Sequence, residues 1–428
     1  MEKYINPDRS AWRSITRRPE VDTSDLRDVV ESVFSDVKNN GDAALKKYTQ
    51  QFDKVELDEF AASEVEMREA CDRVSDKLKS AIKLAAGNIE KFHSSQSLAV
   101  NKVETVTGVT CWQEARPIEK VGIYIPGGTA PLFSTVLMLA IPAKIAGCKE
   151  IILCTPPNKE GQVADEILYA AKLTGVDQVF KVGGIQAIAA LTFGTESISK
   201  VDKIFGPGNQ YVTAAKQLAT QHGLAIDMPA GPSELLVMSD KSGNPAFIAS
   251  DLLSQAEHGG DSQVIFVTNE ENMLSKVEQE VNEQIELLPR KEIAKQAIEN
   301  SRLVFFDLEL DIVDFINLYG PEHYILNAEN EEYYLNNLIS AGSVFIGNYT
   351  PESAGDYASG TNHTLPTNGF AKAYSGVNLD AFTKKITFQK IAPEGIQAIG
   401  SAIELMAEAE GLQAHKNAVT LRLNELKK

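Results

Sequence analysis

From Thr23 onward the apolar positions fall at intervals of three and four, at Leu26, Val29, Val30, Val33, Phe34 and Val37. That spacing predicts an amphipathic helix behind a Thr-Ser cap, ending at Asn40-Gly41. A second helix is expected over 42–52, and a long one from Ser63 to about Phe92, a stretch with no proline and no glycine before Gly87. Residues 101–125 read as strands, the last being Val121-Gly122-Ile123-Tyr124-Ile125. Helix and strand then alternate. Helices over 133–146, 164–174, 185–192 and 210–221 are interleaved with strands at 151–154, 179–182, 203–205 and 224–226. A second series has strands at 234–238, 264–267, 303–306, 324–326 and 343–346, separated by helical runs at 246–258, 271–287, 310–318 and 331–340. Short apolar strands alternating with helices predict two α/β units of βαβ type with mainly parallel sheets. From about 376 the chain holds two helices split by Gly411 and reads as a tail.

At 428 residues the chain exceeds what one core usually holds, and 43% hydrophobic with 23% charged residues is ordinary for a globular enzyme. The formal charge is −18 and the sequence pI about 4.9, which argues against general binding to nucleic acid or anionic membranes. Met1-Glu2-Lys3-Tyr4 shows no basic and apolar leader. The longest apolar run, Leu132 to Ile141, is too short to span a bilayer and ends at Pro142. Cys71, Cys111, Cys148 and Cys154 show no Cys-x-x-Cys spacing and are expected to be reduced, mostly buried thiols of a cytoplasmic protein. A cysteine nucleophile at Cys111 or Cys154 stays open.

Three glycine turns fall where a strand hands over to a helix: Pro126-Gly127-Gly128-Thr129, Gly183-Gly184 and Gly206-Pro207-Gly208-Asn209. Ligands and phosphates gather at such strand ends and helix N-termini. None matches Gly-x-Gly-x-x-Gly and no P-loop lysine follows, so nucleotide binding and ordinary turn chemistry both fit.

Of the six histidines, His93 and His222 sit at polar ends of predicted helices and are expected on the solvated surface. His258, His323, His363 and His415 each lie in a dense run of glycines, carboxylates and amides. In Ser254-Gln255-Ala256-Glu257-His258-Gly259-Gly260, a helix continued to the glycines places Gln255 and His258 on one face. A polar last turn stopped by Gly259 is the plainer alternative. His415 falls in the first turn of the last helix, where the dipole favours neutral imidazole, the form a divalent cation needs. Glu410, five positions earlier, shares its face only if the chain bends at Gly411. Asp356, in a small-residue loop, is an oxygen ligand or a helix cap. A Gln, His, Asp and His set without thiolate suits zinc in a functional site with open positions. Glu322 and His323 are adjacent and reach one pocket only from a turn or strand end, which Gly320-Pro321 allows. Such a pair supplies a proton acceptor and a water-activating carboxylate; a loop cap is the alternative.

These motifs together resemble the histidinol dehydrogenase family nearly over the whole length. The resemblance rests on Val121-Gly-Ile-Tyr-Ile-Pro-Gly-Gly-Thr-Ala130, Lys203-Ile-Phe-Gly-Pro-Gly-Asn209, Ala230-Gly-Pro-Ser-Glu234, the Ser254 run, Gly320-Pro-Glu-His323, the run from Ser353 to Pro366 and Glu410-Gly-Leu-Gln-Ala-His415. It implies a zinc-dependent, NAD-dependent four-electron oxidation of L-histidinol to L-histidine through the aldehyde, with two NAD⁺ consumed and one zinc per subunit. It implies zinc held by Gln255, His258, Asp356 and His415, substrate also met by Ser233, His323, His363 and Glu410, and NAD met by Tyr124, Gln186 and Asn209. Glu322 would activate water and His323 would take the alcohol proton. It further implies a homodimer whose tails complete each other's sites through Glu410 and His415. The organisation expected is an N-terminal helical arm (1–22), a discontinuous Rossmann-like domain of 23–122 plus 235–375 with the metal and catalytic motifs, an inserted Rossmann-like domain (123–234) with the NAD motifs, and a C-terminal helical tail (376–428). A zinc-dependent hydrolase without nucleotide, with Glu322 activating a metal-bound water, and a two-lobed ligand-binding clamp without catalysis are the rival readings.

Overall fold

The computed structural model describes residues 1–19, 26–127, 131–229 and 231–428. The Thr23-Ser24 cap, Gly128-Thr129-Ala130 and Ala230 lie outside the described residues. Two parallel sheets organise the chain. One has five strands in the order Gln178–Phe180, Glu150–Cys154, Lys120–Tyr124, Lys203–Phe205 and Ala225–Ile226. The other has six, in the order Glu2–Ile5, Arg302–Phe305, Gln263–Thr268, Glu234–Ser239, His323–Asn327 and Ser343–Ile346. Helices cover both faces, so the central strands are apolar throughout rather than alternating in character. In the six-stranded sheet Leu235 and Val237 enter one core while Leu236 and Met238 enter the core on the opposite face. Among the described residues no helix is long and apolar enough to cross a membrane.

Several boundaries differ from the sequence reading. Residues 2–5 are an edge strand pairing with Arg302–Phe305 rather than part of a helical arm. The long helix is two, Glu64–Arg73 and Asp76–Ser94, because the Ser75 hydroxyl accepts the Leu78 N–H and starts a second helix. The helix Leu26–Tyr48 is broken at Gly41, whose φ of 50° and ψ of −128° are not helical, as the Asn40-Gly41 stop predicts. The tail opens with a strand, Thr383–Ile391, antiparallel to Val109–Pro117, with Trp112 stacked on Phe388. The helix Lys291–Glu299 was not expected.

The boundaries drawn for the inserted domain also shift. Lys120–Tyr124 belongs whole to the five-stranded sheet, and Glu234 begins a strand of the six-stranded one. Val30, Val33, Phe34 and Val37 pack with Ile152 and Ile204, and Ile82 and Ile89 pack with Val121 and Ile123. The helices within 26–94 therefore bury their apolar faces against the five-stranded sheet, not against the sheet that carries the metal and catalytic motifs.

The turn from Lys203–Phe205 into the helix Gln210–Gln221 explains one glycine. Gly206 has φ of +124°, and a Cβ there would lie 2.0 Å from the Tyr124 carbonyl oxygen. Only glycine lets the two strand ends meet. Asp227 accepts the Gly206 N–H at 2.8 Å, and the buried Lys216 ammonium bridges Asp227 at 2.5 Å and the Gly206 carbonyl at 2.8 Å. The N-terminus of that helix is thereby pinned at the strand ends.

Candidate active site and metal-binding cluster

The site is built at the end of the six-stranded sheet where His323 begins its strand. Gly320 closes the preceding helix at φ of 62°. Glu322 and His323 consequently turn into one pocket although they are sequence neighbours: Glu322 Oε2 lies 3.6 Å from His323 Nδ1. Glu322 Oε2 also accepts the Glu234 N–H at 2.8 Å. The His323 ring is 3% exposed, with Nδ1 3.7 Å from Glu352 Oε1 and Nε2 3.5 Å from Asp356 Oδ1. Burial works against a charge on this ring. Glu352, Glu322 and Asp356 outweigh it and hold the imidazole well above its ordinary range.

Gln255 is the penultimate residue of the helix Pro245–Ala256, and Glu257 continues the turn so that His258 N–H reaches the Gln255 carbonyl at 3.3 Å. Gln255 is buried and His258 is exposed. Asp356 is not at a helix N-cap but in the short helix Glu352–Tyr357, four residues after Glu352. One ligand atom each from His258, Glu352 and Asp356 lies within 4.8 Å of the others. His323 Nε2 and Asp356 Oδ1 are buried without a hydrogen-bond partner among the described residues. Orphaned buried donors and acceptors of this kind are costly unless something completes them. An all nitrogen and oxygen set beside them fits a borderline divalent cation such as zinc.

His363 supports Asp356. Its Nδ1 meets the Asp356 carbonyl at 3.0 Å, which a ring N–H must donate to, so Nε2 accepts from the Thr135 hydroxyl at 2.9 Å. Burial holds this ring below its ordinary pKa. Glu410 caps the helix Pro393–Ala409, Gly411 follows at φ of 73°, and His415 lies in the first turn of Gln413–Glu425. Both side chains are exposed. A single chain does not bring His415 into the cluster of His258, Glu352 and Asp356.

The glycine turns form a second locus. The Tyr124 hydroxyl accepts the Gly184 N–H at 3.1 Å, and burial pushes its pKa up. Gln186 is fully buried; its Nε2 donates to Asp53 at 3.4 Å and its Oε1 has no partner among the described residues. Burial pushes the Asp53 carboxyl up to about 6. The Asn209 side chain caps its helix, accepting from Tyr211 and Val212 N–H at 3.1 Å each. A cleft of about 1360 Å³ runs from Asn209 and Gln210 past Ser233 to His258. A helix N-terminus, an unpaired amide oxygen and a glycine-lined approach fit a dinucleotide.

Other residues had no assignment from sequence. Arg18 grips Glu234 through Nε at 2.5 Å and Nη2 at 2.7 Å, and its guanidinium lies 4.1 Å from the Tyr319 ring centre. Asp251 is buried behind Glu352. Burial pushes it up to about 7, with the Glu352 backbone N–H pulling the other way. A folded pKa above the ordinary value of about 3.9 means stability falls as pH rises from about 4 toward 7. Asp251→Asn is expected to remove that fall. Urea midpoints should show the variant's advantage growing from pH 5 to pH 8, by at most about 4 kcal/mol.

His93 corrects the surface expectation. It is fully buried, 3.3 Å from the Asn362 amide, because the loop around Gly360 crosses the helix Asp76–Ser94, with Asn88 donating to the Ala358 carbonyl at 2.8 Å. His222 is exposed and stacked on Phe34. All four cysteines are free; Cys148 and Cys154 are buried, Cys71 and Cys111 partly so. Burial pushes the Cys154 thiol up, against a nucleophilic role.

Two helix-covered parallel sheets, with acid–base groups and a cluster that could hold a cation at the end of one and glycine turns on the other, define an α/β enzyme. The histidinol dehydrogenase family model matches residues 16–423. A histidinol dehydrogenase from Bacteroides thetaiotaomicron is 58% identical over 428 residues, all of both chains, and one from Escherichia coli K12 is 53% identical over 418 residues, 97% of this chain and 95% of that one. The crystal structure of histidinol dehydrogenase from Elizabethkingia anophelis superposes with a TM-score of 0.99 at 59% identity, covering 100% of this chain and 99% of that one. The chain belongs to the histidinol dehydrogenase family.

Proposed function

We propose that this enzyme oxidises L-histidinol to L-histidine through L-histidinaldehyde, the last two steps of histidine biosynthesis, consuming two NAD⁺ and using one zinc per subunit. The observation that carries the reading is the unpaired His323 Nε2 facing Asp356 beside His258. Zinc would be held by Gln255, His258 and Asp356 with His415, and would supply a positive anchor for the imidazole and amine of the substrate. Bound NAD⁺ would accept hydride, met by Tyr124, Gln186 and Asn209. His323 Nε2 would take the alcohol proton, its ring being neutral once a bound cation offsets the carboxylates that otherwise hold a proton on it. Glu322 then takes a proton from the water that adds to the aldehyde. Ser233, on the wall of the cleft, His363 and Glu410 complete the substrate contacts.

The same reading makes the enzyme a homodimer in which Glu410 and His415 act in the partner's site. Its support is that both residues are exposed and outside their own cluster, on a helix pair whose Leu405, Met406 and Leu421 are each more than 60% exposed. The test is NADH formed per L-histidinol consumed, with and without a chelator. Two NADH, abolished by chelation and restored by zinc, is expected. Hydrolysis or mere binding would form none.

A further inference from the structure

Among the groups around His323, Glu352 has been given no role, although its side chain is 1% exposed. The short helix Glu352–Tyr357 explains its place, since residues 352 and 356 are four apart and share a face. Its carboxylate has three neighbours. Oε1 is 3.7 Å from His323 Nδ1, and Oε2 accepts from the Ser254 hydroxyl at 3.4 Å. The third is the Gln255 amide: with its nitrogen toward both Glu352 oxygens, 3.3 Å from Oε2, the amide oxygen lies 3.2 Å from the Glu234 nitrogen and shares its N–H with Glu322.

Each contact settles an ambiguity the site cannot tolerate. An amide offers a cation its oxygen, so its nitrogen needs an acceptor when buried. Glu352 is that acceptor for Gln255. Imidazole has two nitrogens, and only one can be the base. His323 Nδ1 faces three oxygens, the Glu234 carbonyl at 3.3 Å, Glu322 at 3.6 Å and Glu352 at 3.7 Å. A backbone carbonyl only accepts, so the ring proton belongs on Nδ1 and the lone pair on Nε2, the unpaired atom facing Asp356.

We propose that Glu352 is a positioning residue: it keeps the Gln255 oxygen, not its nitrogen, available to the cation, and its carboxylate, 3.7 Å from Nδ1, adds to the Glu234 carbonyl in holding His323 as the Nδ1–H tautomer so that Nε2 receives the alcohol proton. This rests on the function proposed above. The substrate O–H bond would break toward Nε2, bound NAD⁺ would supply the acceptor for the C–H pair as hydride, and the imidazolium so formed would be flanked by the Glu352 carboxylate. The arrangement parallels the carboxylate that orients the histidine of a hydrolase triad.

The test uses the full-length, zinc-loaded enzyme and the variants Glu352→Gln, Glu352→Ala and Glu352→Asp. Outer carboxylates of this kind are worth about 10–100-fold in metal affinity. Glu352→Gln, which keeps the volume, should weaken zinc by that factor in chelator competition. It should lower kcat for histidinol by on the order of 100-fold while KM for NAD⁺ stays within about twofold. Nitrogen-15 spectra of the His323 ring should show one Nδ1–H tautomer in the parent and a mixture in Glu352→Gln, a change that general loosening of the fold does not produce. Glu352→Asp should recover part of both losses. Zinc affinity and kcat within about twofold of the parent, or an unchanged tautomer, overturns the assignment. Should Glu352→Ala fail to fold, the isosteric glutamine variant decides. A parent enzyme that neither binds zinc nor forms NADH from histidinol defeats the proposed function itself, a result distinct from normal parent activity with an indifferent variant.

Discussion

Glu322→Gln is expected to slow the oxidation of histidinaldehyde by on the order of 10²–10⁴-fold and to slow histidinol oxidation less. The two half-reactions ask different things of the site. Beyond the hydride it gives up, the alcohol needs only its proton removed, the role proposed for His323. The aldehyde carries no hydride that can leave until water has added, and that water must lose a proton. Glu322 is 6% exposed, with one oxygen fixed by the Glu234 N–H at 2.8 Å and standing 3.6 Å from His323 Nδ1. Glutamine keeps the size and can still accept the Glu234 N–H through its oxygen, so the strand end should hold its shape. What it loses is the ability to take a proton. Supplying histidinaldehyde and following NADH, beside the same measurement with histidinol, separates the steps. Undiminished aldehyde turnover removes Glu322 from the role.

The repeating alternation of helix and strand was legible because each segment carried its own signal. The helices 133–146 and 210–221 and the strand 203–205 lie where the apolar spacing places them. Signals that need a distant partner were not legible. Thr383–Ile391 is a strand only against Val109–Pro117, and its lysines interrupt the apolar alternation of Ile386 and Phe388. His93 looks like a polar helix end until a segment 269 positions later covers it. The histidine-rich runs do meet in space: His258 and His323 lie beside Asp356, and His363 reaches its carbonyl. Glu352 was in plain view four residues before Asp356. The glycine and small residues around it read as a loop, which hid the helical spacing that puts both carboxylates on one face. The clasp of Arg18 on Glu234, 216 positions apart, had no local signature.

Mixing His415→Ala subunits with Ser233→Ala subunits is expected to restore activity that neither variant has alone. If the tail serves the partner, a hybrid dimer contains one site with both defects and one with neither. Random exchange makes half of the dimers hybrid, so about a quarter of the parental sites, and about a quarter of parental activity, should return. If His415 served its own chain, every site in the hybrid would carry one defect and nothing would return. The structure of one chain favours the first outcome on two grounds. His415 is exposed and stands outside the cluster of His258, Glu352 and Asp356. The tail helices pack on each other, with Leu423 against Gly400, while Leu405, Met406 and Leu421 remain in solvent. Large apolar side chains left this exposed on both helices of the pair fit a surface that a partner subunit would cover. Subunit exchange has to be verified independently, by a tag on each variant and mass measurement of the purified hybrid. A verified hybrid with no activity above its parents would end the sharing of sites and require His415 to reach a cation by some other movement of the tail.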